Sequence, residues 1–192
     1  MREFEYKYML TSDIFEQLTN YYNLKNPVKQ INHYFTDTEF TLRKKHATVR
    51  IREIDNKFYL QIKYELNDKH SFGVDCKNMS IREKYSREAK DVSDVNTTEI
   101  INITGIYIKD LTNVGCMTTY RYKYELNDNI VLCFDKNVYL GYCDYELEIE
   151  MKRFDSVIAY SILDDLGLKH PSKRQMGKCS RFMCRLNVIG KN

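Results

Sequence analysis

The chain has no tryptophan, only two prolines and seven glycines among its 192 residues. No low-complexity tract, linker or solenoid-length repeat interrupts it. No apolar run approaches the length of a membrane span, so no membrane partner is expected. The six cysteines form no CxxC pair and no zinc-like spacing with the four histidines. Nothing at the N-terminus resembles a signal peptide, which argues against a disulfide framework and for reduced thiols and a cytoplasmic location. The net charge of +3 is too mild to argue for nucleic acid.

Hydrophobic residues make up 43% and charged ones 30%, a globular composition without the signature of disorder. The aromatic residues are sixteen Tyr and nine Phe, types that favour strands. A chain of this length has room for one sizeable domain.

The opening segment EFEYKYML alternates with period two: Glu3, Glu5 and Lys7 on one side, Phe4, Tyr6, Tyr8 and Leu10 on the other. A helix is expected over TSDIFEQLTNYY, capped by Ser12, followed by strands in KQINHYFTDT, EFTLRKK, ATVRIREID and KFYLQIKYEL. Asp55-Asn56 predicts a tight hairpin. Residues 65 to 79 read as a loop, with MSIREKYS as a short strand after it. One or two short helices fit residues 86 to 112, with Thr97 or Thr98 as a cap and Gly105 as a break. CMTTYRYKYEL, NIVLCFDKNVYL and YCDYELEIEM read as three strands joined near residues 127 to 129 and at Gly141. RFDSVIAYSILDDLGL has the apolar stripe of a helix ending at Gly167, and the tail from 170 shows no clear pattern. About eight strands with two or three helices, strand mostly following strand, indicate an antiparallel α+β domain or barrel and exclude a parallel βαβ sheet.

The division of faces recurs. Arg50 and Arg52 oppose Val49 and Ile51; Gln61 and Lys63 oppose Leu60 and Ile62; Arg121 and Lys123 oppose Tyr120, Tyr122 and Tyr124; Asp144, Glu146, Glu148 and Glu150 oppose Tyr145, Leu147, Ile149 and Met151. The acids concentrate toward the two ends of the chain and the bases on the strands between. Two readings remain open. The charges form a solvated outer face of cross-strand pairs, or they line the inside of a barrel, eight strands being enough to hold one small ligand. Carboxylates suit hard divalent cations, and Arg and Lys suit phosphates, so the residue types of a metal–polyphosphate pocket are present.

At this point the sequence resembles the CYTH superfamily, the triphosphate tunnel metalloenzymes. The resemblance rests on Glu3-Phe-Glu5-Tyr-Lys7 as an ExExK strand, VRIR at 49 to 52, Lys63 in LQIK, Arg121 in TTYRYKY, Asp135 followed by Gly141 and the Glu146/Glu148 strand, and KCSRF with Lys178 and Arg181. It implies a single domain over residues 1 to 192, an α+β fold built on an eight-stranded antiparallel β-barrel with helices outside, and a triphosphate-containing small molecule as ligand. It further implies that Glu3, Glu5, Glu146 and Glu148 hold Mg²⁺ or Mn²⁺, and that Lys7, Arg50, Arg52, Lys63, Arg121 and Lys178 bind phosphate. Glu3, Glu5, Lys7 and Glu148 are the expected catalytic group. Glu83, Asp135, Glu150 and Arg181 are supporting candidates, with Arg82 or Lys84 as alternatives to Glu83. The loop at 65 to 79 is a candidate lid or a plain surface loop. The implied reaction is metal-dependent hydrolysis of inorganic, nucleoside or thiamine triphosphate. The alternatives are cyclisation of ATP by an adenylate cyclase and polyphosphate or nucleotide binding without turnover. A monomer and a dimer are equally compatible with the sequence.

Overall fold

The period-two segments become eight strands in a computed structural model that describes residues 2–64, 79–153, 155–173 and 175–190, excepting the side chains of 2, 3 and 79–81. The elements are β1 (Arg2–Leu10), α1 (Ser12–Tyr21), β2 (Val28–Thr36), α2 (Thr41–Lys44), β3 (Thr48–Ile54), β4 (Lys57–Tyr64), β5 (Met79–Ala89) and α3 (Thr97–Thr104). They continue as β6 (Thr112–Asn127), β7 (Ile130–Tyr139), β8 (Tyr142–Met151), α4 (Ser156–Asp165) and α5 (Lys178–Ile189). The strands follow the hydrogen-bonding order β1-β5-β4-β3-β2-β6-β7-β8, that of a closed barrel. The α+β fold with an eight-stranded antiparallel barrel is therefore the observed one. None of the described helices is long and apolar enough to cross a membrane.

Two compact units divide the chain. The first holds β2 from Lys29, α2, β3, β4, β5 from Arg82, α3 and β6 up to Thr119; the second holds β1 from Glu3, α1, the first three residues of β5, the rest of β6, β7, β8, α4 and α5. In the first, Phe35, Leu42, Val49, Ile51, Leu60, Ile62, Ile100 and Ile108 form one apolar cluster that seats α2 and α3 against the strands. In the second, Tyr6, Leu132, Phe134, Leu147 and Ile149 pack against Phe15 and Leu18 of α1 and Ala159, Ile162 and Leu163 of α4. The apolar side of β1, β3, β4, β7 and β8 thus faces helices and their charged side faces the other way, whereas on β5 the helix-facing Arg87 pairs with Glu99 of α3.

The two-residue turns follow the sequence. Asp55 and Asn56 both take positive φ between β3 and β4, and Leu140 and Gly141 do the same between β7 and β8, the conformation that matches strand twist. Gly105 and Gly167 take the left-handed conformation after α3 and α4.

Several expectations need correction. EFTLRKK contains no strand; its centre is the short helix α2, held by Asp37, which accepts from the backbone N–H groups of Thr41 (2.7 Å) and Leu42 (2.9 Å). The cap of α1 is Thr11, not Ser12, and that of α3 is Asn96, one residue before the expected threonines. Five helices are present among the described residues where two or three are expected. The extra two are α2 and α5, the latter forming within the unpatterned tail. Apart from Met79, the loop at 65 to 79 and its reading as a lid lie outside the described residues.

Candidate active site

Period-two alternation decides which residues meet on the charged face, and register decides which stand opposite. In the second unit β1 pairs with β8 so that Lys7 is opposite Glu148 and Glu5 opposite Glu150. β8 pairs with β7 so that Glu146 is opposite Asp135, Glu148 opposite Cys133 and Asp144 opposite Asn137. Glu5, Lys7, Arg121, Asp135, Asp144, Glu146, Glu148, Lys178 and Arg181 are all buried. A solvated face of surface pairs is excluded for these residues. The Glu3 side chain lies outside the described residues.

Three acidic residues, Asp135, Glu146 and Glu148, place one carboxylate oxygen each within 4.8 Å of the others. Four cationic groups surround them. Arg121 donates from Nε and Nη2 to the two oxygens of Asp135 at 2.8 and 2.6 Å, from Nη1 to Glu150 at 2.8 Å, and from Nη2 to Glu148. The fork geometry explains why an arginine serves here. Lys178 Nζ lies 2.7 Å from Asp135 Oδ2 and 2.9 Å from Glu148 Oε1, and it is also paired with Glu146. Lys7 pairs with Glu5 and lies 3.7 Å from Glu148 Oε1. Arg181 lies 2.8 Å from Glu146 Oε2. Both oxygens of Glu146 are fully buried, one against Lys178 and the other against Arg181.

Charge and burial compete within this cluster. Burial would raise the Asp135 carboxyl, but Arg121 and Lys178 outweigh it and hold the group well below the usual carboxylate range. Burial raises the Glu148 carboxyl and the charge of Glu5 adds to it, against Arg121 and Lys7. Burial lowers the Lys178 ammonium well below its ordinary value despite the pull of Asp135. Counted as ionised, five buried carboxylates (Glu5, Asp135, Asp144, Glu146, Glu148) meet four buried cations (Lys7, Arg121, Lys178, Arg181), an excess of one negative charge, to which the half-buried Glu150 adds another. Buried charge of that size calls for a counter-ion. With three buried carboxylates offering oxygens within 4.8 Å of one another, the donor set fits a hard divalent cation bound by oxygen ligands.

The first unit presents a different chemistry. Arg50 is buried, and its Nε and Nη2 donate to the neutral Gln61 Oε1 at 3.1 and 2.8 Å. Arg52 donates from Nε to Asn32 Oδ1 at 2.9 Å. Lys63 stands opposite Thr48 and Lys84, on the face of Arg50 and Gln61. Glu83 is instead opposite Tyr64, on the side of Ile62, so Lys84 rather than Glu83 shares the face of Lys63.

Sequence reading missed Asp144, Asn137 and Tyr139 as parts of the site. Asp144 accepts from Arg181 Nε (2.8 Å) and Nη2 (3.1 Å), Asn137 Nδ2 (2.9 Å) and the Tyr139 hydroxyl (2.6 Å). Their signal was available: Asp144 and Asn137 continue the polar alternation of β8 and β7 toward Gly141. Glu150, half-buried, is a partner of Arg121.

The family model described as CYTH domain matches residues 1–173. Among curated proteins, the chain is 28% identical over 157 residues to the candidate triphosphatase YjbK of Bacillus subtilis, covering 77% of this chain and 76% of that protein. Among solved structures, a candidate adenylate cyclase from Bacillus halodurans superposes with a TM-score of 0.74 at 22% identity, covering 94% of this chain and 96% of the other. The candidate adenylyl cyclase HpAC1 from Hippeastrum, described as revealing a dominant triphosphatase activity, gives 0.71 at 18% identity with 95% of each chain covered.

Proposed function

The chain belongs to the CYTH domain family, and from that premise we propose that it hydrolyses a triphosphate with the help of a divalent cation, Mg²⁺ or Mn²⁺. The observation that carries this reading is the buried group of three carboxylates, Asp135, Glu146 and Glu148, in a cluster where acids outnumber cations.

In this reading Glu146, Glu148 and Asp135 hold the cation, with Glu5 and Glu3 as further acids. The bound cation would supply charge neutralisation at phosphate and a more acidic water. Arg50, Arg52, Lys63 and Lys7 bind phosphate oxygens. Arg50 is the best prepared of these: its guanidinium is buried against a neutral amide, and an anion supplies the charge that Gln61 lacks. Arg121 and Lys178 spend their hydrogen bonds on carboxylates and would reach phosphate only by giving some of them up. Most of the rate enhancement in such chemistry comes from positioning and charge stabilisation. A location in the cytoplasm agrees with the unbridged thiols of Cys116, Cys133 and Cys143.

The test is a panel of inorganic triphosphate, ATP and thiamine triphosphate, assayed with Mg²⁺, with Mn²⁺ and with chelator, the products identified by phosphorus NMR. Orthophosphate release that stops with chelator supports the reading. Cyclic AMP and pyrophosphate from ATP would replace it with the cyclase, and tight binding without products would make the chain a binding protein.

A further inference from the structure

The arginines of VRIR are held by amides, one from each flank of β3. Register sets Arg50 opposite Gln61 on β4 and Arg52 opposite Asn32 on β2. Gln61 Oε1 accepts from Arg50 Nε at 3.1 Å and Nη2 at 2.8 Å, and Asn32 Oδ1 accepts from Arg52 Nε at 2.9 Å. A guanidinium has only donors, so these contacts also fix which way each amide is turned. Arg87, Arg121 and Arg181 are held by carboxylates instead, those of Asp94 and Glu99, of Asp135, and of Asp144. Alternation leaves the face of Asn32, Arg50 and Gln61 on β2, β3 and β4 without a carboxylate. Glu53, the one acid of these strands, falls on the other face, beside His33.

The difference between an amide and a carboxylate here is charge. Either oxygen can pin a guanidinium, but a carboxylate cancels its charge and an amide leaves it whole. Arg50 is buried, and its only hydrogen bonds among the described residues are those to Gln61. The N–H groups of Nη1, with the second of Nη2, remain for an acceptor and present the edge that grips a pair of phosphate oxygens. Asn32 adds an independent sign. It is fully buried, its oxygen is taken by Arg52, and its Nδ2 has no acceptor. Buried donors are rarely left so, and an anion supplies what this one lacks.

We propose that Gln61 and Asn32 are positioning residues for phosphate. They pin Arg50 and Arg52 without cancelling their charge, and Asn32 contributes an N–H of its own. This rests on the reading that Arg50 and Arg52 bind phosphate.

The test uses Gln61→Glu and Asn32→Asp, which keep shape and add charge, with Gln61→Met, Arg50→Met and the double variant of these two. Affinity for inorganic triphosphate and for ATP is measured by calorimetry in chelator, KM and kcat with Mg²⁺, and melting by thermal scans. Gln61→Glu and Asn32→Asp should each weaken binding and raise KM at least about tenfold, with a smaller change in kcat. Gln61→Glu should nevertheless melt no lower than wild type, because its carboxylate pairs with Arg50. A purely structural role predicts the opposite, affinity following melting temperature. Gln61→Met should weaken binding at least about threefold in wild type and less than about twofold in the Arg50→Met background. Unchanged affinity in Gln61→Glu, a loss confined to kcat, or a Gln61→Met loss that persists without Arg50 overturns the proposal. Should Asn32→Asp fail to fold, the Gln61 variants decide. The reading beneath the proposal fails differently. Wild-type affinity in Arg50→Met, or a wild type that neither binds nor turns over either probe, overturns phosphate binding by Arg50 and the proposal with it. Weakened binding in Arg50→Met beside unaffected Gln61 variants overturns the proposal alone.

Discussion

Lys178, at the first residue of α5, places its ammonium 2.7 Å from Asp135 Oδ2 on β7. The same nitrogen contacts Glu146 and Glu148, so one lysine stands among all three carboxylates that offer oxygens to a cation. Removing it tests the cation site directly. Lys178→Met should cost about 3–5 kcal/mol of stability in chelator, the usual penalty for leaving a buried charge without its partner. Mg²⁺ should recover part of that loss, so the variant's melting temperature should respond to Mg²⁺ more than wild type does. An identical response in the two proteins, by thermal scans with chelator and with Mg²⁺, would separate these carboxylates from metal binding.

Glu148→Gln keeps the shape of the side chain and removes one negative charge from the cluster. Phosphate release should fall by at least about a hundredfold, as for loss of one transition-state stabilising group. Circular dichroism should report an unchanged fold. A folded variant with wild-type turnover would remove Glu148 from the catalytic group.

Much of this site is legible in the sequence because alternation has a period of two. Once EFEYKYML, VRIR and YELEIE are read as strands, the face of every charged residue follows, and burial of Glu5, Arg121 and Glu148 then decides between solvent and interior. Other features depend on tertiary context. The helix α5 buries Lys178 and Arg181 along with Phe182 and Met183, so its inward face mixes charge with apolar residues and leaves no clean stripe to read. The four-residue helix α2 is set by Asp37 from outside the helix, beyond the reach of local propensity. The three glutamates of YELEIE look equivalent until register with β7 distinguishes them: Glu146 faces Asp135, Glu148 faces Cys133, and Glu150 faces Val131.

The Asp37 cap gives a pH-dependent prediction outside the site. Burial alone would raise its carboxyl, but the N–H groups of Leu42 and Thr41 hold it below its ordinary value. A depressed pKa contributes stability that is complete above the unfolded-state value and disappears as the pH falls through the folded one. Asp37→Ala should therefore destabilise by about 1 kcal/mol near neutrality. The difference from wild type should shrink in acid, below the ordinary aspartate range. Urea titrations at several pH values measure it, and a pH-independent difference would show that the carboxylate charge has no part in the cap.

Asp144 is saturated by four donors, two of them from Arg181. Arg181 in turn donates from Nη1 to the Met176 carbonyl at 2.6 Å and sits beside Glu146. Because Lys178 lies three residues before Arg181 on α5, the aspartate that holds Arg181 also fixes where the Lys178 ammonium stands. Asp144→Ala should lose about 3–5 kcal/mol, since it strands a buried guanidinium. Arg181→Met should lose a comparable amount by stranding the carboxylate. The double variant should lose less than the sum of the two, with a coupling energy in the range of about 1–3 kcal/mol expected of directly bonded groups. Denaturant titrations of the four proteins provide the cycle. Strict additivity would mean that Asp144 and Arg181 act independently and that α5 is anchored by its apolar residues alone.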